Sequence, residues 1–122
     1  MSALPKPDAA TVLTRALFAA SERLQLNQKQ LARILGVSPA TVSRMVRLNG
    51  VLSETGGEWD AAAALVRVYR SLAGLLDGNE ALISAWITSK NHDFGCAPVD
   101  VLMQAGGVYR IGGYLDAYRG RF

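Results

Sequence analysis

Apolar and polar positions fall into helical periods almost throughout the chain. From Ala9 to Leu24, the residues Val12, Leu13, Ala16, Leu17, Ala20 and Leu24 recur at three- and four-residue spacing, which predicts an amphipathic helix with Asp8 as its N-cap. Met1 to Pro7 holds two prolines and little to bury, and reads as a lead-in. A second helical stretch covers Leu26 to Asn49. Ser53 to Glu58, SETGGE, is polar with a glycine pair and predicts a loop between subdomains. Beyond it, Leu65, Val68, Tyr69, Leu72, Leu75 and Leu76 form one stripe of a long helix between Asp60 and Leu76. Arg67, Arg70 and Ser71 lie away from that stripe, and Asp77-Gly78 ends the helix. Asn79 caps a helix to about Thr88, with Leu82, Ile83 and Trp86 inward, and Asn91 to Ala97 form a loop. Pro98 opens a short helix to Met103, and Gly106-Gly107 separates it from a last helix, Val108 to Tyr118. No segment sustains alternation of period two, so the expected fold class is all-α. Its parts are an N-terminal helix-turn-helix bundle over residues 1–55 and a small helical domain over residues 56–122 for binding a protein partner or for dimerisation.

Composition sharpens this division. Half of the 122 residues are apolar, enough for a core with some surface left for a partner. The net charge of +3 is segregated. Met1 to Thr55 carries seven basic residues against three acidic, and Gly56 to Phe122 six against seven, so the basic excess belongs to the first half. That is the distribution of a half that meets phosphate joined to a half that meets protein. A single cysteine, Cys96, excludes an intramolecular disulfide, and the N-terminus lacks the basic-then-apolar pattern of a secretory signal. The longest apolar run, Trp59 to Val66, is interrupted by Asp60 and is too short for a bilayer. The expected location is the cytoplasm, with no membrane partner.

Leu26 to Met45 fits the helix-turn-helix template, and each match has a steric reason. Asn27 caps the first helix, Ala32 is small where two helices cross, and Gly36 can take the left-handed conformation that turns the chain. Val37 packs beneath the turn, Ser38 caps the second helix, and Pro39 suits its first position. At roughly 100° per residue, Val42, Met45 and Val46 fall on a core side, while Ala40, Ser43, Arg44 and Arg47 fall opposite. With Ser38 and Thr41 at its flank, this outer face suits a helix entering the major groove. Serine and threonine reach bases of either kind, alanine can touch a thymine methyl, and arginine pairs with a guanine edge, which makes Arg44 the leading candidate for base reading. Gln28 and Lys29 begin the first helix, where free N–H groups favour backbone phosphate. The expected DNA-binding set is therefore Gln28, Lys29, Ser38, Ala40, Thr41, Ser43, Arg44 and Arg47. One such unit reads only a few base pairs, so useful specificity calls for a homodimer on two half-sites of operator DNA.

Catalytic and metal signals are thin. His92, Asp93 and Cys96 lie close in sequence, yet structural zinc needs four ligands and catalytic zinc usually three, and no second cluster completes a set. Asp93 with Asp100, or His92 with Ser89, lacks a third positioning group, and neither Gly106-Gly107 nor Gly112-Gly113 has a phosphate-loop pattern. The glycine pairs read as a helix break and a close packing contact. No enzymatic activity, metal or cofactor is expected.

Beyond Trp59 the residues Trp86, Asn91, Phe94-Gly95, Pro98-Val99-Asp100-Val101-Leu102, Gly106, Val108 and Tyr114-Leu115, then Tyr118-Arg119-Gly120-Arg121-Phe122, follow one another in a recognisable order. In this order and spacing the segment resembles the C-terminal toxin-binding domain of Xre/MbcA/ParS-type antitoxins. The resemblance implies an antitoxin of a type II toxin-antitoxin pair. Such a protein would neutralise a RES-domain toxin, an enzyme that attacks NAD, by covering its active-site entrance, and would repress its own operon. The implied toxin-binding residues are Trp86, Asn91, Tyr114, Tyr118, Arg119, Gly120, Arg121 and Phe122. Cys96 and Ala97 depart from the family, which more often has a glycine and a polar or basic residue before the proline. Independently, the tail after Leu115 gathers tyrosines, arginines, a glycine and a terminal phenylalanine, a dense set of recognition groups. The alternatives are a phage-type or metabolic repressor whose C-terminal half only dimerises, and an adaptor whose helix-turn-helix no longer binds DNA.

Overall fold

The structure is a computed structural model that describes residues 8–120. Seven α-helices follow in order: α1 (Ala9–Arg23), α2 (Gln28–Leu35), α3 (Pro39–Leu48), α4 (Gly57–Leu75), α5 (Glu80–Thr88), α6 (Pro98–Leu102) and α7 (Gly107–Arg119). The only extended pairing among the described residues is an isolated bridge between Asn91 and Cys96. The fold is all-α.

Most helix starts are fixed by the residue the sequence places there. Asp8 Oδ1 accepts from the Thr11 N–H at 2.7 Å, and Asn79 Oδ1 accepts from the Leu82 N–H at 3.1 Å. Helix α4 has no side-chain cap and begins at Gly57, inside the stretch expected to be loop. Glu58 and Asp60 in its first turn complement the free N–H groups there. Asp77 and Gly78 both take positive φ, 53° and 67°, and so end the long helix.

α4 is the central element. It packs against α1 and α2 on one side and against α7 on the other, while α6 joins α7 and α5. One hydrophobic cluster results, running from Leu17, Leu24 and Val42 through Leu65, Val68 and Leu72 to Ile83, Ile87, Val101 and Ile111. This double-sided packing corrects the expectation for Ser71. Predicted to lie off the stripe, it is 5% exposed, because α7 covers that flank of α4.

Three apolar residues expected inside are outside. Val12 is 51% exposed. The buried face of α1 is instead Ala10, Thr14, Leu17, Ala20 and Ser21, and Val12 sits roughly 140° round from Leu17 at 100° per residue. Thr14 is affordable inside because its hydroxyl is fully used: it donates to the Ala10 carbonyl at 2.6 Å and accepts from the Leu52 N–H at 3.0 Å. Leu82, also 51% exposed, lies to one side of the Ile83 and Ile87 seam of α5. Val46 is treated below with α3.

Candidate functional site

The turn between α2 and α3 is built by local chemistry. Asn27 Oδ1 accepts from the Gln30 N–H at 2.8 Å while Gln30 Oε1 accepts from the Asn27 N–H at 2.9 Å, a reciprocal capping box. Ala32 is 1% exposed, which lets the two helices approach closely. Gly36 takes φ 73°, a conformation that costs a residue with a Cβ on the order of 1–2 kcal/mol. Ser38 Oγ accepts from the Thr41 N–H at 3.1 Å, and Pro39 occupies the first helical position.

The outer face of α3 carries the expected residues. Ala40, Arg44 and Arg47 are exposed, with Thr41 and Ser43 half-buried beside them, and Gln28 and Lys29 are exposed at the start of α2. Ser38 and Thr41 share a hydroxyl contact of 2.9 Å, and an Arg44 guanidinium nitrogen reaches Thr41 Oγ1 at 3.5 Å. The helix cap and the candidate base-reading arginine are thus linked. Val42 is fully buried and Met45 half-buried, but Val46 is 47% exposed, against the expectation of a core position. The reason is that the last turn of α3 borders an open groove rather than another helix.

The second half gathers aromatic rings. Trp86 on α5 and Tyr118 on α7 each stack beside Tyr114, with ring centroids 6.4 and 6.5 Å away and planes inclined by 28° and 29°. Phe94, from the loop, meets Tyr114 at 4.8 Å, and the Arg110 guanidinium lies 5.3 Å from the Phe94 ring centre. The Tyr114 hydroxyl donates to Asp93 Oδ2 at 2.8 Å. That bond, with some burial, holds the phenol above its usual pKa. Asn91 shapes the loop: its side-chain oxygen accepts from the Asp93 N–H at 2.9 Å, and its backbone N–H donates to the Cys96 carbonyl at 3.0 Å.

The tail is less free than its composition suggests. α7 continues through Arg119, whose guanidinium donates to Ser71 Oγ at 3.1 Å and stands 4.0 Å from Asp116. Gly120 follows as the C-cap and is exposed. Arg121 and Phe122, the remaining expected contacts, lie outside the described residues. A groove of about 780 Å³ between α4, α5 and α7 is bordered by Leu72, Leu76, Trp86, Tyr114, Tyr118 and Arg119. Trp86, Tyr114, Tyr118 and Arg119 therefore share one surface.

Residues 3–67 match the family model of the antitoxin Xre-like helix-turn-helix domain, more than half of the chain. The chain belongs to the Xre-like antitoxin family. Residues 71–121 match the antitoxin Xre/MbcA/ParS C-terminal toxin-binding domain, which implies a toxin as partner. A search of curated proteins finds no significant match. The aromatic surface of this antitoxin falls within the toxin-binding match, and α2, α3 and the capped turn fall within the helix-turn-helix match.

Sequence reasoning missed several residues that shape these surfaces. Asp93 and Phe94 contact Tyr114 and Arg110 lies over Phe94, yet they come from a loop and a helix flank whose approach no local pattern reveals. Arg33 is the other omission. Its Nε donates to the Met103 carbonyl at 2.6 Å and so fastens α2 to the end of α6. Among the described residues no group of three or more His, Cys, Asp or Glu is placed to hold a metal, and no helix is long and apolar enough to cross a membrane.

Proposed function

We propose that this antitoxin has two tasks: it represses its own operon, and it neutralises a RES-type toxin, an enzyme that attacks NAD, by covering the entrance to the toxin's active site. Residues 1–55 carry the first task and residues 56–122 the second, in the cytoplasm and without catalysis by the chain itself. A homodimer sets two α3 helices in the major groove. Arg44 and Arg47 reach base edges, with Ala40, Thr41 and Ser43 beside them, while Gln28 and Lys29 hold phosphate.

The observation that carries this reading is the pairing of two family matches in one chain with an exposed feature in each. In the first match the face of Ala40, Arg44 and Arg47 is open to solvent. In the second, Trp86, Tyr114, Tyr118 and Arg119 form a continuous aromatic and cationic surface, the composition that anchors protein interfaces. The RES assignment rests on the sequence resemblance.

Co-expression with the protein encoded beside it tests the toxin half. The two should purify as a complex, and cellular NAD, which falls when the neighbour is expressed alone, should be preserved. Intact NAD under the neighbour alone rejects the RES assignment. For the DNA half, Arg44→Ala with Arg47→Ala should abolish a gel shift on the upstream promoter, and undiminished binding rejects the reading face.

A further inference from the structure

We infer that the loop closed by the bridge between Asn91 and Cys96 is a clamp for Tyr114: Asp93 and Asn91 hold its hydroxyl and Phe94 backs its ring. Tyr114 then meets the toxin ring-first, and these three are positioning residues rather than contacts. This rests on the toxin-binding reading proposed above and assigns roles within that surface.

Both Trp86 and Tyr118 stack beside Tyr114, and all three border the groove between α4, α5 and α7. Asn91, Asp93, Phe94 and Arg110 do not border it. They touch Tyr114 or one another instead. Asp93 Oδ2 accepts from the hydroxyl at 2.8 Å, and the Phe94 ring meets the phenol ring at 4.8 Å, inclined by 60°. Phe94 is held in turn by the Arg110 guanidinium, which stands one turn before Tyr114 on α7.

The Tyr114 hydroxyl is largely spent within this loop. Its proton goes to Asp93. Asn91 gives its side-chain oxygen to the Asp93 N–H at 2.9 Å, which leaves its amide N–H groups to donate. The Asp93 bond is the main cause of the raised Tyr114 pKa, and the Asn91 side chain acts against it, the sign expected of an N–H facing the phenol oxygen. A phenol that donates and accepts inside its own domain presents carbon to the groove.

A clamp must itself be stiff, and this one is. The Asn91 N–H donates to the Cys96 carbonyl at 3.0 Å, and the Asn91 carbonyl accepts from the N–H groups of Phe94 at 3.2 Å and Gly95 at 2.9 Å. Gly95 takes φ 75°, which closes the turn without strain, and the buried Pro98 starts α6 just beyond. Ordering a side chain at the moment of binding costs affinity, and ordering it beforehand removes that cost, here worth about three- to tenfold for Tyr114.

Calorimetric titration of the full chain with the protein encoded beside it tests the clamp. Asp93 is exposed, so its variants leave the core intact. Asp93→Ala and Tyr114→Phe should each weaken binding by about three- to tenfold. The double variant should be no weaker than either alone, because both break the same bond. Asp93→Asn, which keeps an oxygen acceptor without the charge, should recover most of the loss. Ultraviolet titration of the free chain gives a readout independent of the toxin: Asp93→Ala should lower the one tyrosine transition that Tyr114→Phe removes. Additive losses in the double variant overturn the clamp, since Asp93 then meets the toxin itself. A loss confined to Tyr114→Phe overturns it too, by placing the hydroxyl on the toxin, and Asp93→Asn as weak as Asp93→Ala reduces the effect to charge. If the wild type fails to bind its neighbour, the toxin reading fails and this inference with it.

Discussion

Gly107 begins α7 where a Cβ would run into the Val101 carbonyl oxygen and come within 3.1 Å of the Leu102 Cα. Backbone cannot rotate aside as a side chain does, so Gly107→Ala should destabilise the protein by about 1–3 kcal/mol. Gly113, in the same helix with nothing within 4 Å of the corresponding position, should instead gain about 0.5–1 kcal/mol as alanine, through the lower entropy of the unfolded chain. Paired melting curves with shifts of opposite sign check both. The sequence showed two glycine pairs and could assign them only a break and a close contact. Which glycine does which depends on a carbonyl six residues away in chain and set by tertiary packing. Tyr114 carries a second prediction at this scale. Its pKa is raised above 10.0 chiefly by the bond to Asp93, so the neutral phenol is favoured in the folded state. The unfolded chain loses the proton first as pH rises. That contribution to stability is therefore complete below about pH 10 and fades as pH climbs from there through the folded pKa. Denaturation across that range should show the loss in the wild type, and Tyr114→Phe should lack it.

The elements divide by whether their cause is local. Asp8, Asn27, Ser38 and Asn79 all cap the helices predicted for them, because a cap needs only its own side chain and the N–H three residues on. Pro98 and the left-handed Gly36 were legible on the same ground. Faces were not. Val12, Val46 and Leu82 turn outward, and Thr14, Ser21 and Ser71 turn inward, since the buried arc of each helix is decided by its neighbours. Periodicity gave an arc of the right width but could not see that α4 is covered on two sides. The exposed outer face of α3 was legible because the helix-turn-helix is fixed by caps and a turn. For the aromatic surface the resemblance supplied Trp86, Tyr114 and Tyr118 and named Phe94 without a role, while Asp93 was missed because the bridged loop brings it in. Ser38 tests the local account. Ser38→Ala should cost about 1 kcal/mol by freeing the first turn of α3, which calorimetry would read as a fall of roughly 3–5 °C. Operator affinity should fall with it, since the same hydroxyl contacts Thr41, which Arg44 reaches.

At the scale of the molecule the two matched domains share one core, because α4 contacts both halves and Arg33 ties α2 to Met103. Physical continuity need not mean functional dependence, and the C-terminal end is the place to separate them. Removing residues 118–122 would also remove the Arg119 bond to Ser71, which holds α7 on α4, so any loss of rescue would be ambiguous. Removing residues 120–122 keeps that bond. Rescue from the toxin should then be lost while operator affinity stays within about twofold, because no residue proposed to read bases or hold phosphate is touched. Raising salt should weaken operator binding of truncated and full chains with the same slope, as each releases the same phosphate counterions. Growth with the toxin and gel shifts over a salt series measure the two separately. Rescue by the truncated chain would move the inhibitory contact off the tail and onto the surface of Trp86, Tyr114 and Tyr118, where Tyr118→Ala would become the decisive variant.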